Sequence, residues 1–121
     1  MNGNATDWFL DRNIREGRAE KAAFIEAWGG GRTITYGDLA NSAGCCASAL
    51  QSAGVEQNAR AAMFVLDQIE FPIIFWGALK AGVQPIALNT LLATDVYLSI
   101  LNDSAASIAF VSHALLDVVL P

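Results

Sequence analysis

From Val55 onward, short apolar runs alternate with helix-spaced stretches, and this alternation constrains the fold more than any other feature of the chain. Residues 61–66 read Ala-Ala-Met-Phe-Val-Leu. A run without polar alternation is expected of a strand buried on both faces. Residues 70–81 then predict a helix with Pro72 in its first turn, a stripe of Phe71, Ile74, Phe75, Ala78 and Leu79, and Gly82 as its stop. A short strand is expected over 84–88. A helix capped by Thr94 or Asp95 follows to about residue 102, its apolar residues Val96, Leu98, Ile100 and Leu101. Residues 107–111 predict a further buried strand, and 114–120 begin a helix. Strand and helix in strict alternation predict α/β architecture with a parallel sheet, because parallel neighbours need helical crossovers.

The first half of the chain has a different pattern. Thr6 is placed to cap a helix running to about Arg15, with Trp8, Phe9 and Ile14 as its main apolar residues and Gly17 as its end. Two short apolar runs, 22–27 and 33–36, flank Trp28-Gly29-Gly30-Gly31-Arg32 and predict an antiparallel hairpin. Tyr36-Gly37-Asp38-Leu39 opens a helix to Ala53, with Leu39, Ala43, Cys46, Ala47 and Leu50 on one face and Gly54 at its end. The expected organisation is residues 1–36 as helix plus hairpin and 37–121 as the α/β portion, with no linker, repeat or low-complexity tract.

Composition narrows the function classes. Apolar residues make up 54% of the 121 and charged residues 16%, which excludes a disordered chain. Alanine supplies 21 residues, so that apolar fraction overstates core volume. The net charge is −5 and the seven basic residues are scattered, which argues against nucleic-acid binding. The two cysteines, Cys45 and Cys46, are adjacent and form neither a disulfide framework nor a metal-ligand spacing, as suits a reducing compartment. The amino-terminal stretch lacks the apolar core of a secretory signal, and no run is long and apolar enough to span a bilayer. The expected location is cytoplasmic.

Isolated candidates for chemistry each have a plainer structural reading. Gly29-Gly30-Gly31 is followed by Arg, Thr, Ile and Thr, not by the Lys and Ser/Thr of a phosphate-cradling loop, and reads as a turn. His113 is the single histidine and has no nucleophile aimed at it by spacing, so it reads as a loop or cap residue. Asp67 follows a strand, where a phosphoacceptor would sit, but the chain lacks the acidic pair and the later lysine that such a site needs. Cys45 and Cys46 fall within a helix with no charge placed to depress a thiol pKa, and read as small buried hydrophobes. Gly77, Ala78, Ala81 and Gly82 predict close packing at one helix end.

Two strings carry a resemblance. Ile34-Thr35-Tyr36-Gly37-Asp38-Leu39 resembles the strand-to-helix motif (L/I)-(T/S)-Y-x-(E/D)-L of the adenylate-forming acyl- and aryl-CoA ligases. Gly77-Ala78-Leu79-Lys80-Ala81-Gly82, with the short strand that runs on to Asn89-Thr90, is similar to that superfamily's G-x-x-(K/R)-A-G segment. Asn102-Asp103-Ser104-Ala105 resembles a later step of the same region, and Asn89-Thr90-Leu91-Leu92 and Ser112-His113-Ala114-Leu115-Leu116 are similar to its benzoate–CoA ligase branch. One departure is Asn58-Ala59-Arg60, where the family has Gly-Asp-Arg in a turn, and a weaker turn is expected there.

The resemblance implies a two-step reaction. A carboxylate attacks the α-phosphate of ATP to give acyl-AMP and diphosphate, and the CoA thiol then displaces AMP. It also implies that ATP, CoA and Mg²⁺ are held by a Ser/Thr/Gly-rich loop with a lysine, an aromatic-Glu motif, a ribose-binding Asp and a mobile carboxyl-terminal domain, none of which lies in residues 1–121. Lys21 and Lys80 sit in no such motif. The expectation is therefore an incomplete part of a larger adenylate-forming domain with no catalytic, cofactor-binding or metal residue of its own. Its partner would be the remainder of the ligase chain, and its small aromatic carboxylate would be bound by the whole enzyme. The apolar run from Leu115 to Leu120 supports the same expectation, since a finished domain more often ends in a polar tail or a docked helix. The chain alone is expected to be inactive and to self-associate. The competing expectation is a non-catalytic α/β module that pairs with a partner chain.

Overall fold

The computed structural model describes residues 4–27 and 31–119. A π-helical turn, Asp7–Asp11, runs into the short helix α1, Arg12–Arg15. Strands β1 (Ala22–Ile25) and β2 (Thr33–Thr35) pair antiparallel, as expected, although Trp28, Gly29 and Gly30 lie outside the described residues. Helix α2 (Tyr36–Ser52) follows, then β3 (Arg60–Phe64), α3 (Glu70–Lys80), β4 (Gln84–Ala87), α4 (Thr94–Ser104) and β5 (Ile108–Val111). A 3-10 turn, His113–Leu115, leads into α5, Leu116–Val119.

The three later strands form the parallel sheet that the alternation predicts, in the order β4-β3-β5. The chain steps from β3 outward to β4, then crosses back over β3 to reach β5. Right-handed crossovers in opposite directions put α3 and α4 on opposite faces. The packing confirms this. Ala61 on β3 meets Leu50 of α2 and Ala78 of α3 on one face. Ala62 and Phe64 meet Tyr97 of α4 on the other. Every residue of β3 after Arg60 is buried. β5 is not: it is an edge strand with Ala109 exposed and its other residues half-buried, which corrects the expectation of a second fully buried strand. Edge position also explains how β4 tolerates Pro85, which has no N–H to give a ladder.

Four local expectations shift. Thr6 is helical and is not the cap; Asn4 Oδ1 accepts the Thr6 N–H at 2.8 Å instead. Thr6, Leu10 and Asn13 are the buried residues of the first helical segment, while Trp8 and Phe9 stand more than half exposed. The Arg12 N–H bonds back to Asp7 O, a five-residue step that re-phases the side chains relative to an α-helix. On α3 the residues packed toward α2 are Ile73, Trp76 and Gly77; of the expected stripe Ala78 is buried against Leu50 and Ala61, while Phe71, Ile74, Phe75 and Leu79 are half-buried. That helix is apolar nearly all round, so its periodicity does not choose a face, and α2 chooses it. Finally, α4 starts at Thr94 after an extended Ala93, and its buried residue is Tyr97, which the sequence pattern did not single out.

The motif at the start of α2 behaves as its sequence predicts. Thr35 Oγ1 accepts the Asp38 N–H at 3.1 Å, closing the helix amino terminus. At the departure point before β3, Asn58 takes φ +68°, the left-handed conformation that glycine favours and that asparagine tolerates best among other residues. Its N–H donates to Gly82 O at 2.7 Å, so the turn is retained.

Candidate functional site

In a doubly wound sheet, ligands sit at the carboxyl ends of the strands, where the strand order reverses. Here that edge is built from three exits: β3 into Val65-Leu66-Asp67, β4 into Leu88-Asn89, and β5 into Ser112-His113. Hydrogen bonds fasten the exits to each other. Ser112 Oγ accepts the Leu66 N–H at 3.0 Å, and the Ser112 N–H donates to Phe64 O at 2.9 Å. The Tyr97 hydroxyl donates to Asn89 O at 2.6 Å and accepts the Leu92 N–H at 3.2 Å. Its buried ring stands edge-on to Phe64, centroids 4.9 Å apart, so the loop after β4 is tied directly to the core.

Two open clefts border the exit of β3. One, of about 380 Å³, lies between the hairpin and the start of α3 and is lined by Phe24, Ile25, Glu26, Asp67, Phe71 and Pro72 among others. The second, of about 370 Å³, is lined by Val65, Glu70, Ile74, Phe110, Ser112 and His113. Asp67 and His113 thus line different clefts, and the structure assembles no acid–base pair from them.

The strongest electrostatic feature lies beside the first cleft. Arg32 binds Glu70 through its two terminal guanidinium nitrogens, at 2.9 and 2.7 Å, and reaches Glu26 at 2.8 Å. The Glu26 side chain is only 6% exposed, and the same oxygen, Oε2, also accepts the Ile69 N–H at 3.0 Å, while Oε1 accepts the Arg32 Nε–H at 3.2 Å. The Arg32 guanidinium, aided by that N–H, holds the Glu26 carboxyl below the usual carboxylate range, and the two carboxylates hold Arg32 firmly protonated. This cluster is not legible in the sequence, since Arg32 and Glu70 lie 38 residues apart. Its one visible signal is a lone acid inside the apolar run 22–27.

The groups available do not fit a nucleotide or a metal ion. Among the described residues no three His, Cys, Asp or Glu side chains converge as metal ligands. Each arginine is engaged within the chain: Arg12 with Trp8 O and Glu16, Arg15 with Asp7, Arg18 with Asn13 and Glu16, Arg32 with its two glutamates, and Arg60 with Ser104 O. No step of phosphoryl chemistry is therefore derived from these residues. Cys46 is half-buried and burial pushes its thiol pKa up, in keeping with a packing role, whereas Cys45 is exposed, contrary to the expectation for it. Lys21 and Lys80 are both exposed. Among the described residues no helix is long and apolar enough to cross a membrane.

The strand order and two-sided helical cover define a doubly wound α/β unit, the fold class of the amino-terminal part of adenylate-forming enzymes. Comparison with known proteins makes this specific. The family model described as AMP-binding enzyme matches residues 10–120. The chain is 43% identical over 119 residues to benzoate–CoA ligase of Thauera aromatica, covering 98% of this chain and 22% of that one. It is 41% identical over 116 residues to 4-hydroxybenzoate–CoA/benzoate–CoA ligase of Rhodopseudomonas palustris, covering 96% and 21%. A solved benzoate–CoA ligase from Burkholderia xenovorans superposes with a TM-score of 0.87 at 38% identity, over 96% of this chain and 23% of that one. The chain belongs to the AMP-binding enzyme family. It spans about a fifth of the length of the curated relatives it matches.

Proposed function

We propose that this chain is the amino-terminal portion of an AMP-forming carboxylate–CoA ligase of the benzoate type. The observation that supports the reading is likeness to benzoate–CoA ligases across almost the whole chain, at 41% and 43% identity. In the proposed reaction a carboxylate oxygen of an aromatic acid such as benzoate attacks the α-phosphorus of ATP. The bond to the β-phosphate breaks, diphosphate leaves, and acyl-AMP forms. The sulfur of CoA then attacks the acyl carbon, and AMP departs with the carboxylate oxygen. ATP, CoA and Mg²⁺ belong to the rest of the ligase in this reading. Residues 1–121 contribute a partial subdomain, with 1–36 as appended helix and hairpin and 37–121 as the α/β portion. The chain alone binds no cofactor productively and is inactive. We place it in the cytoplasm.

The direct test is benzoate-dependent ATP–diphosphate exchange. The isolated 121-residue chain gives none, and the same residues grafted in place of the matching stretch of the Thauera aromatica enzyme sustain it. Exchange by the isolated chain, or a graft that is soluble and inactive, overturns the reading. A second reading, a non-catalytic module that pairs with another chain, is favoured by the exposed aromatic residues Trp8, Phe9 and Phe24. It predicts a soluble complex with a separate protein and an inactive graft.

A further inference from the structure

Four aromatic rings form a continuous row, Phe9 exposed and Trp76, Phe75 and Phe71 half-buried. Phe9 and Trp76 lie 5.8 Å apart, Trp76 and Phe75 5.3 Å, and Phe75 and Phe71 6.2 Å, centroid to centroid. Phe24 closes the row from the hairpin, and with Phe71, Pro72, Phe75 and Trp76 it lines an apolar hollow of about 210 Å³. Phe9 is 57% exposed and Phe24 44%.

The row is built and held, not left loose. Its members come from three separate elements: the first helical segment, β1 and α3. At one end Asn4 Nδ2 donates to Leu79 O at 2.7 Å and Thr6 Oγ1 donates to Trp76 O, which ties the first helical segment to α3. At the other end Arg32 ties the hairpin to Glu70 on the first turn of α3. An aromatic centre with a polar, ion-paired margin is the anatomy of a protein–protein contact. Rings that are ordered before contact lose little conformational entropy on being covered.

We infer that this row is the seam on which the rest of the ligase packs. The inference rests on the ligase reading above, and the length of the relatives supports it. The matching stretch makes up 21–23% of relatives that share this fold, so nearly four-fifths of such a protein is available to cover an apolar surface that this fifth leaves open. The net charge of −5 disfavours an anionic lipid surface as the alternative cover.

The test uses the graft described above, with Phe9→Glu and Phe24→Glu introduced together. Because both rings are exposed in the chain alone, the isolated double variant keeps its melting temperature within a few degrees and self-associates less. In the graft the same pair is covered, so the melting temperature falls by on the order of 10 °C or more and soluble yield drops. An unchanged graft overturns the inference while leaving the ligase reading intact. An equal loss in graft and isolated chain also overturns it, because the rings would then be internal packing. An isolated chain that forms a discrete dimer dispersed by the variant, beside an unaffected graft, assigns the row to a second copy instead. An unmutated graft that folds and gives no exchange removes the ligase reading and the seam with it.

Discussion

Gly77 and Cys46 meet where α3 crosses α2, and a Cβ on Gly77 would stand 2.6 Å from the Cys46 Cβ and 2.8 Å from its Sγ. Real carbon atoms do not approach so closely, so the crossing exists only because position 77 has no side chain. Gly77→Ala is expected to lower stability by about 1–3 kcal/mol through overpacking, offset in part by the better helix propensity of alanine. Truncating the thiol does not relieve the contact, since Cys46→Ala keeps its Cβ. Cys46→Gly in the same chain removes that contact, leaving the 3.0 Å approach to Ala43 O, and so rescues only in part, at about 1 kcal/mol of helix propensity. Thermal or urea melts of the single and double variants check this, and rescue by Cys46→Ala would contradict it.

The Arg32 cluster makes stability pH-dependent. Glu26 is held below its ordinary pKa, first by Arg32 and then by the Ile69 N–H. A carboxylate whose folded pKa is depressed contributes stability above its unfolded value of about 4.3 and loses it as pH falls through the folded value. The melting temperature should therefore fall as the pH drops below that unfolded value and on through the lower folded one. Glu26→Gln should flatten part of that drop, the remainder coming from Asp7 and Glu16, whose carboxyls Arg15 and Arg18 hold low. Melting curves at a series of pH values decide it: a slope identical in Glu26→Gln would show that the cluster is not linked to folding.

Tyr97→Phe removes the hydroxyl that bridges Asn89 O and the Leu92 N–H. The ring still packs on Phe64, so the loss is that of the hydrogen bonds and of the partners left behind, about 1–3 kcal/mol. Because the loop after β4 loses its anchor, limited proteolysis should cut between residues 89 and 93 faster than in the unaltered chain. Unchanged cleavage would show that the loop is held by other contacts.

The two cysteines should differ in reactivity despite being neighbours. Cys45 is exposed, while Cys46 is half-buried and its thiol pKa is raised by burial. Iodoacetamide near neutral pH is expected to alkylate Cys45 first, with Cys46 following only on unfolding. Peptide mass mapping over time distinguishes them, and equal rates would mean that the α2–α3 crossing opens readily.

Periodicity and punctuation made most of the fold legible before any coordinates. The hairpin, the long helix opening at Tyr36, and the βαβαβα order all follow from local rules: apolar runs too short for helices and glycines at the ends. The same rules failed where a segment was apolar on every side or non-standard in pitch. α3 presented no unique face, and the π-helical turn moved Leu10 inward and Phe9 outward. The site was less legible. The sequence singled out Asp67 and His113 one at a time, and the structure places them on separate clefts. The Glu26–Arg32–Glu70 cluster joins positions up to 44 residues apart, a contact that no local pattern encodes.

By itself, then, the sequence determined the kinds of element and their order, because helix and strand choice depends on neighbours within a turn or two. It also carried the motifs by which the family is recognised, since those lie in continuous strings. Only the tertiary structure decided which sides of these elements touch. That choice depends on volumes meeting across the fold, such as the missing Cβ of Gly77 against Cys46, and on charges brought together by the hairpin. The aromatic row is likewise a tertiary fact, because its rings come from three elements and become one surface only when those elements are packed.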